Sequence, residues 1–124
     1  MPETKRVPVV DDDDVIRLTV ADALDMEGYS VITATNGAEA LAQVRTARPH
    51  AIVLDLMMPV MNGWEFLEAC HREELCAGTP VLVMSAYCHL VETAPELGAN
   101  AYIAKPFDLE VLLGAIERLV QRAA

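Results

Sequence analysis

The sequence is poor in several kinds of residue, and each shortage excludes a class of protein. Its three cysteines, Cys70, Cys76 and Cys88, form no CxxC pair and leave an odd count, so neither a disulfide framework nor a zinc site is supported. No run of about 18 apolar residues occurs, as a membrane-spanning helix would require. The first residues, MPETKRVPVV, lack the long apolar stretch of a signal peptide. We therefore expect a reduced, cytoplasmic protein.

Basic residues are also scarce. Nine Lys and Arg stand against 19 Asp and Glu, which gives a net charge of -10 over 124 residues. Clusters of basic side chains are what bind the phosphate backbone of a nucleic acid. We therefore expect partners among proteins, small phosphate donors and cations, with no direct binding to nucleic acid and no insertion into a membrane.

The length indicates one compact domain. A chain of 124 residues can bury roughly two thirds of the surface that it exposes when unfolded. No internal repeat, low-complexity tract or Pro/Gly/Ser-rich linker interrupts it. Residues 1–124 are therefore predicted to form a single domain with no effector domain in this chain.

Short apolar runs alternate with segments of helical periodicity, a pattern typical of an α/β fold. The predicted strands cover residues 7–10, 29–34, 51–56, 81–85 and 101–104. Helices are predicted over 14–27, after Asn36, over 64–74 and after Asp108, with a less certain helix before Gly98. Asp13 or Asp14 is expected to cap the first of them. The second and third have capping-box spacing, with Asn36 three residues before Glu39 and Asn62 three residues before Glu65. The prediction is a doubly wound sheet of five parallel strands with helices on both faces.

Polar residues stand where the predicted strands end. Asp11 and Asp12 follow the first strand, Asp55 closes the third, Ser85 closes the fourth and Lys105 follows the fifth. Parallel strands place their carboxyl ends at one edge, and open sheets of this class bind ligands there. We therefore expect these five side chains to form one site.

The composition of this site suggests phosphoryl chemistry. Carboxylates a few ångström apart repel one another by about 4 kcal/mol per pair at an effective dielectric of 20, so a positive group should accompany them. Lys105 and a hydrated Mg²⁺ ion suit the site, whereas the glycine and spaced ligands of a calcium-binding EF-hand loop are missing. An ionised Asp55 can attack a phosphoryl group, with Asp11 and Asp12 holding the metal. Lys105 and Ser85 would then bind phosphoryl oxygens.

Four segments in this order resemble the receiver domain of response regulators: VVDDDDVIR at 9–17, VLDLMMPVMNG at 53–63, VMSA at 83–86 and YIAKPF at 102–107. The resemblance covers nearly the whole chain. It implies a flavodoxin-like strand order of 2-1-3-4-5 and a Mg²⁺-dependent phosphoryl transfer from a histidine kinase or phosphotransfer protein. It also implies a downstream protein target. We expect a monomer or a weak dimer.

The same resemblance implies individual roles. The family's acid pair falls on Asp11 and Asp12, its phosphoacceptor on Asp55, its hydroxyl residue on Ser85 and its lysine on Lys105. It further implies a metal ligand in the backbone carbonyl of Met57, a cis peptide between Lys105 and Pro106, and an inward turn of Tyr102 on activation. Bulky side chains at Met57 and Tyr87 would flank the path of attacking water, which predicts slow self-dephosphorylation.

The sequence also departs from the family pattern. Pro8 lies inside a central strand, which should therefore be bulged or start late. Ser85 and Asn62 replace the more frequent threonine and aspartate. The segment between Ser85 and Gly98 is about two residues shorter than usual and contains Pro95, so the helix in it is expected to be short or irregular.

Two other functions remain open from the sequence. Asp11 to Val15 also fits the DxDx[TV] motif of haloacid dehalogenase phosphatases, although only 19 residues follow Lys105 and a further acidic motif is missing. A receiver-like adaptor that works without phosphorylation would carry the same sequence features. A flavin-binding relative is disfavoured, because aspartates after the first strand would repel the flavin phosphate.

Overall fold

A computed structural model describes residues 4–86 and 98–123 of the chain. The predicted helix before Gly98, with Tyr87 and Pro95, lies outside these residues. In chain order the elements are β1 (Arg6–Val10), α1 (Asp14–Met26), β2 (Ser30–Ala34), α2 (Gly37–Thr46), β3 (Ile52–Asp55), α3 (Gly63–Arg72), β4 (Val81–Ser85), β5 (Ala101–Ala104) and α4 (Leu109–Ala123).

The five strands form one parallel sheet in the order β2-β1-β3-β4-β5. The strands β3 and β4 are buried along their whole length. Parallel strands that are covered on both faces need continuous apolar sequence, which explains the runs IVLD and VLVMS. The predicted fold class and strand order are confirmed.

Two apolar layers flank the sheet. Phe66 of α3 packs in one layer with Leu41 of α2 and the strand residue Leu54. Leu24 of α1 packs in the other with Ile116 of α4, against strand residues that include Val53. Neighbouring residues of β3 thus point to opposite faces, as the period of two in a strand requires.

Pro8 is accommodated without the predicted bulge or late start, and that expectation was wrong. β1 begins at Arg6 and pairs with β2 over all five of its residues, whereas it pairs with β3 only over its last two. Alternate residues of a parallel strand bond to opposite neighbours. The main-chain N–H of Arg6 donates to the ring Nδ1 of His50 and the carbonyl of Arg6 accepts the N–H of His50, both on the β3 side. The donor that Pro8 lacks would face the same side, so the proline shortens the β1–β3 ladder and leaves β1–β2 intact.

The helix starts follow the predicted capping residues, with one difference. The Asp13 carboxylate accepts the N–H of Ile16 at 3.1 Å, and Asn62 forms a reciprocal capping box with Glu65. Asn36 also caps α2, but the Glu39 carboxylate bonds to the N–H and hydroxyl of Thr35 instead of closing a box with Asn36. These contacts satisfy amide groups that a helix leaves without partners in its first turn.

The loop between β3 and α3 turns tightly. Val60 has a positive φ of 68°, and the N–H of Met61 bonds to the carbonyl of Pro59 at 2.8 Å. This is a three-residue turn of the strained kind that a β-branched residue seldom adopts. The loop then passes into α3 at Gly63, directly behind the end of β3.

None of the helices in the described ranges is both long and apolar enough to cross a bilayer.

Candidate functional site

The edge formed by the strand carboxyl ends brings the predicted acids together. Asp11 follows β1 and is fully buried, and its main-chain N–H bonds to the carbonyl of Ala34 at 3.1 Å. Asp55, the last residue of β3, is 2% exposed. Asp12 is the exposed member of the group. The ends of β1 and β3 are adjacent because the two strands pair at Val10 and Leu54.

Lys105 holds the two buried carboxylates with a single ammonium group. Its Nζ lies 2.7 Å from Asp11 Oδ2 and 3.5 Å from Asp55 Oδ2. Its main-chain N–H bonds to the carbonyl of Ser85 at 2.9 Å, which ties the end of β5 to that of β4. The peptide bond between Lys105 and Pro106 is cis. The lysine stem is thereby fixed at the strand edge with its charge facing the acids.

Burial and charge act in opposite directions on Asp55. Burial, followed by repulsion from Asp11, raises the pKa of Asp55 to about 6, although the Lys105 charge and the N–H of Met57 favour its ionised form. Burial by itself would lower the pKa of Lys105, but the hydrogen bond to Asp11 and the charges of both acids outweigh it and raise that pKa. Lys105 therefore stays protonated. Its charge does not fully offset the cost of ionising the buried Asp55, so a further positive charge nearby would stabilise the ionised carboxylate.

The acids can supply a metal site. Asp11, Asp12 and Asp55 each offer a carboxylate oxygen, and the three oxygens lie within 4.8 Å of one another. An all-oxygen set with few protein ligands fits Mg²⁺, which keeps several of its own waters. Two of the acids are buried and one is exposed, so a bound ion would keep a side open to solvent. The residues present therefore fit a hydrated divalent cation.

Of the other predicted site residues, Ser85 and Met57 lie near the acids and Tyr102 does not. Ser85 is fully buried at the end of β4, beside the acids. The N–H of Met57 points at Asp55 Oδ1 at 3.5 Å, while its side chain is 55% exposed. Tyr102 stands inside β5, paired with Val83 and 46% exposed, and is not part of the acidic cluster.

One contributor was absent from the sequence-based prediction. Arg17 donates to the carbonyl of Asp11 at 3.0 Å and to the carboxylate of Asp14 at 2.7 Å. Its position three residues after Asp14 is a spacing typical of helix ion pairs and was a usable signal. The contact with Asp11 joins the first turn of α1 to the end of β1, and no helix-surface pattern could reveal it.

This arrangement defines a class: doubly wound α/β domains with an acidic, lysine-bridged pocket at the carboxyl edge of the sheet. The family described as the response regulator receiver domain matches residues 7–117. The chain belongs to the response regulator receiver domain family. This membership decides against the haloacid dehalogenase interpretation.

Individual relatives agree with this assignment. Response regulator MprA of Mycobacterium leprae is 41% identical over 120 residues, which cover 94% of this chain and 51% of that protein. The chain thus spans about half the length of the curated relatives it matches.

Solved structures show the same fold. A CheY-like receiver domain protein from Methanospirillum hungatei JF-1 has a TM-score of 0.89 at 30% identity, covering 98% of this chain and 97% of its own. The response regulator TrrA from Thermotoga maritima, in complex with Mg²⁺-BeF, has a TM-score of 0.83 at 29% identity, covering 94% and 99%.

Proposed function

We propose that this chain is a phosphorylation switch in two-component signalling, in which Asp55 receives a phosphoryl group and the change is passed to a protein partner. The observation that carries the proposal is the shared ammonium of Lys105, held between the buried carboxylates of Asp11 and Asp55. Such a cluster is costly to bury, because its acids repel one another in a water-poor site. Buried charges kept at this cost are typical of functional sites. Membership of the receiver family supports the same conclusion.

The cofactor proposed for the reaction is Mg²⁺, held by Asp11, Asp12, Asp55 and the backbone carbonyl of Met57. A bound divalent cation would neutralise developing charge on the transferring phosphoryl oxygens. The clustering of the three carboxylates supports this set. The structural neighbour TrrA is in complex with Mg²⁺-BeF, which supports the choice of this cation.

The proposed step is a transfer between two side chains. An Asp55 carboxylate oxygen attacks phosphorus, forming an acyl phosphate as the bond to the nitrogen of a donor phosphohistidine breaks and its electron pair returns to the imidazole. Lys105 neutralises one phosphoryl oxygen, and the Ser85 hydroxyl donates a hydrogen bond to another. The approach of Ser85 to the new phosphoryl group then draws the β4 end inward, and Tyr102 on the neighbouring strand follows. Asp55, Lys105 and Ser85 are thus the proposed reactive residues, with Ser85 and Tyr102 as the switch.

The proposed setting follows from the family and the charge. The phosphoryl donor is a sensor histidine kinase or phosphotransfer protein in the cytoplasm, and the recipient of the signal is another protein. The chain would act as a monomer or weak dimer, without direct contact of this domain with nucleic acid, since its net charge is -10. Apart from self-phosphorylation by small donors and self-dephosphorylation, no turnover is proposed.

Intact-mass spectrometry after incubation with acetyl phosphate tests the proposal. The wild-type protein should gain the mass of one phosphoryl group with Mg²⁺ and none with EDTA, whereas Asp55→Asn should gain none in either buffer. Asp25→Asn removes an exposed acid of α1 and should label like the wild type. A folded wild-type protein that never labels, or an Asp55→Asn variant that does, would refute the switch. The first outcome would favour an adaptor that works without phosphorylation.

A further inference from the structure

Two cysteines meet where α3 ends, at the opposite edge of the sheet from the acids. After α3 the chain reverses through Glu74, which has a positive φ of 58°. The N–H of Glu74 bonds to the carbonyl of His71 at 3.2 Å, and that of Leu75 to the carbonyl of Cys70 at 2.9 Å. This pair of bonds is a Schellman closure, which folds the chain back over the last helical turn. Cys76, the next residue, therefore lies beside the last turn of α3, which contains Cys70.

The two thiols contact one another. Cys70 is fully buried in the apolar layer under α3, and Cys76 is partly buried and packs against the same layer. A side-chain hydrogen bond between the two sulfurs shifts the pKa of both thiols. The backbone bond between Leu75 and Cys70 holds the two cysteines near one another, as a covalent link between their sulfurs requires.

The chemical states of the two sulfurs differ. The hydrogen bond to Cys76, together with burial, raises the pKa of Cys70 far above its usual range. The same bond lowers the pKa of Cys76 in spite of burial, and the charge of Arg48 acts in the same direction. The more reactive sulfur is therefore the more accessible one, a division typical of redox-active cysteine pairs.

A small oxidant can approach Cys76. A cleft of about 310 Å³ opens between the connection that leads into β4 and the end of α4, lined by Cys76, Thr79, Asn100 and Leu119 among others. The volume accommodates several water-sized molecules. Cys70 does not line this cleft, so an oxidant would reach Cys76 first.

We propose that Cys70 and Cys76 form a redox modification site that hydroperoxides convert to a reversible disulfide. The Cys76 thiolate attacks the O–O bond, forming an S–O bond and releasing water or an alcohol. The Cys70 sulfur then attacks Cys76, so that an S–S bond forms and the hydroxyl group leaves as water with the Cys70 proton. Each peroxide consumed takes up the two electrons that the two thiols lose, and a dithiol reductant reverses the change by exchange.

The disulfide would fix the end of α3 to the connection that leads into β4. Thr79 and Pro80 precede the first residue of β4, whereas Asp55 and Ser85 are the last residues of their strands. Oxidation should therefore leave the acidic pocket in place. The site requires neither Mg²⁺ nor a phosphoryl donor, so it can be tested independently of the proposed switch.

The test uses the Cys88→Ser protein, because Cys88 lies outside the described residues and its thiol would complicate the count. After reduction and treatment with hydrogen peroxide, intact-mass spectrometry should show the loss of two hydrogen atoms per chain. Both thiols should become unreactive towards a maleimide, peptide mapping should find Cys70 linked to Cys76, and dithiothreitol should restore the starting mass. A thiol pair that survives intact, or Cys76 that advances to the sulfinic acid while Cys70 stays free, would overturn the proposal.

Two further variants separate the roles of the sulfurs. In the same background, Cys70→Ala should stop at a Cys76 sulfenic acid that dimedone traps. Cys76→Ala should slow oxidation at Cys70 by about tenfold or more, because the remaining thiol is buried and protonated. Circular dichroism verifies that each variant is folded. If Cys70 oxidises equally fast without Cys76, the assignment of Cys76 as the attacking sulfur is wrong.

Discussion

Asp55 illustrates how one side chain combines reactivity with a cost to stability. Its carboxylate is almost completely buried near a second buried acid, and the charge of Lys105 is shared between them. Burial of the carboxylate, followed by repulsion from Asp11, outweighs the charge of the shared ammonium, which is why the pKa of Asp55 is raised and not lowered. The residue that we propose as the phosphoacceptor is therefore also a source of instability in the metal-free protein.

This instability has a definite pH dependence. With a pKa of about 6 in the folded protein and 3.8 as the ordinary value, folded Asp55 keeps a proton between these pH values that the unfolded chain has released. The contribution of Asp55 to the free energy of unfolding therefore falls as the pH rises through that window. In EDTA, Asp55→Asn should raise the free energy of unfolding by about 1 to 3 kcal/mol near pH 7.5, and the gain should shrink towards zero near pH 4.

Urea unfolding at the two pH values measures this effect. Asp25→Asn serves as the control, since it also removes one negative charge but from an exposed position on α1. It should change the free energy of unfolding by less than about 0.5 kcal/mol at either pH. Equal destabilisation of Asp55→Asn at both pH values would show that its carboxylate is not strained in the fold.

At the scale of elements, the position of α3 depends on a glycine. A Cβ at Gly63 would lie 2.6 Å from the carbonyl oxygen of Asp55 and 2.8 Å from the Cα of Leu56, both backbone atoms. The N–H of Gly63 also bonds to the carbonyl of Leu56 at 2.9 Å. The first turn of α3 thus packs directly against the backbone at the end of β3, where Asp55 lies.

Two glycine substitutions should therefore have opposite effects. Gly63→Ala should lower the free energy of unfolding by about 1 to 3 kcal/mol, because backbone has to move to admit the methyl group. Gly114→Ala should raise it by about 0.5 to 1 kcal/mol, since the new Cβ of this α4 residue meets only the end of the Arg118 side chain at 3.7 Å. Urea unfolding of both variants measures the contrast. Stabilisation by Gly63→Ala would mean that α3 does not need this close approach.

The elements themselves could largely be predicted from the sequence. Strand limits at 81–85 and 101–104 agree with the structure, and Asp13 and Asn62 cap helices as their spacing indicates. Such features are local, because periodicity and capping involve residues a few positions apart. Pro8 was misjudged because its effect depends on which neighbouring strand its missing donor faces. Glu39 was misjudged because Thr35 competes for its carboxylate.

At the scale of the whole molecule, the net charge of -10 opposes compaction through self-repulsion. Monovalent salt should stabilise the protein modestly by screening these charges, whereas Mg²⁺ should add the free energy of binding to the acidic pocket. At about one hundred times its dissociation constant, a cation that binds only the folded state contributes about 2.7 kcal/mol. We therefore expect MgCl₂ to raise Tm further than NaCl at equal ionic strength.

Thermal unfolding followed by circular dichroism tests this difference. Asp12→Ala should reduce the advantage of MgCl₂, because Asp12 supplies one of the three carboxylates of the proposed cation site. The response to NaCl should be kept, because Asp12 is exposed and its loss disturbs little of the fold. Asp25→Ala should keep both responses. An advantage of MgCl₂ that survives in Asp12→Ala would place the stabilising cation elsewhere on the acidic surface.

The sequence by itself determined the fold class, the strand order through its likeness to receiver domains, and the five polar residues at the strand ends. It could do so because apolar periodicity fixes each element, and because parallel strands bring their carboxyl ends to one edge. Only the tertiary structure decided how Lys105 is shared between Asp11 and Asp55, how Arg17 reaches the β1 end and how Cys76 returns to Cys70. These contacts depend on distances between folded elements to within an ångström, which no pattern along the chain encodes.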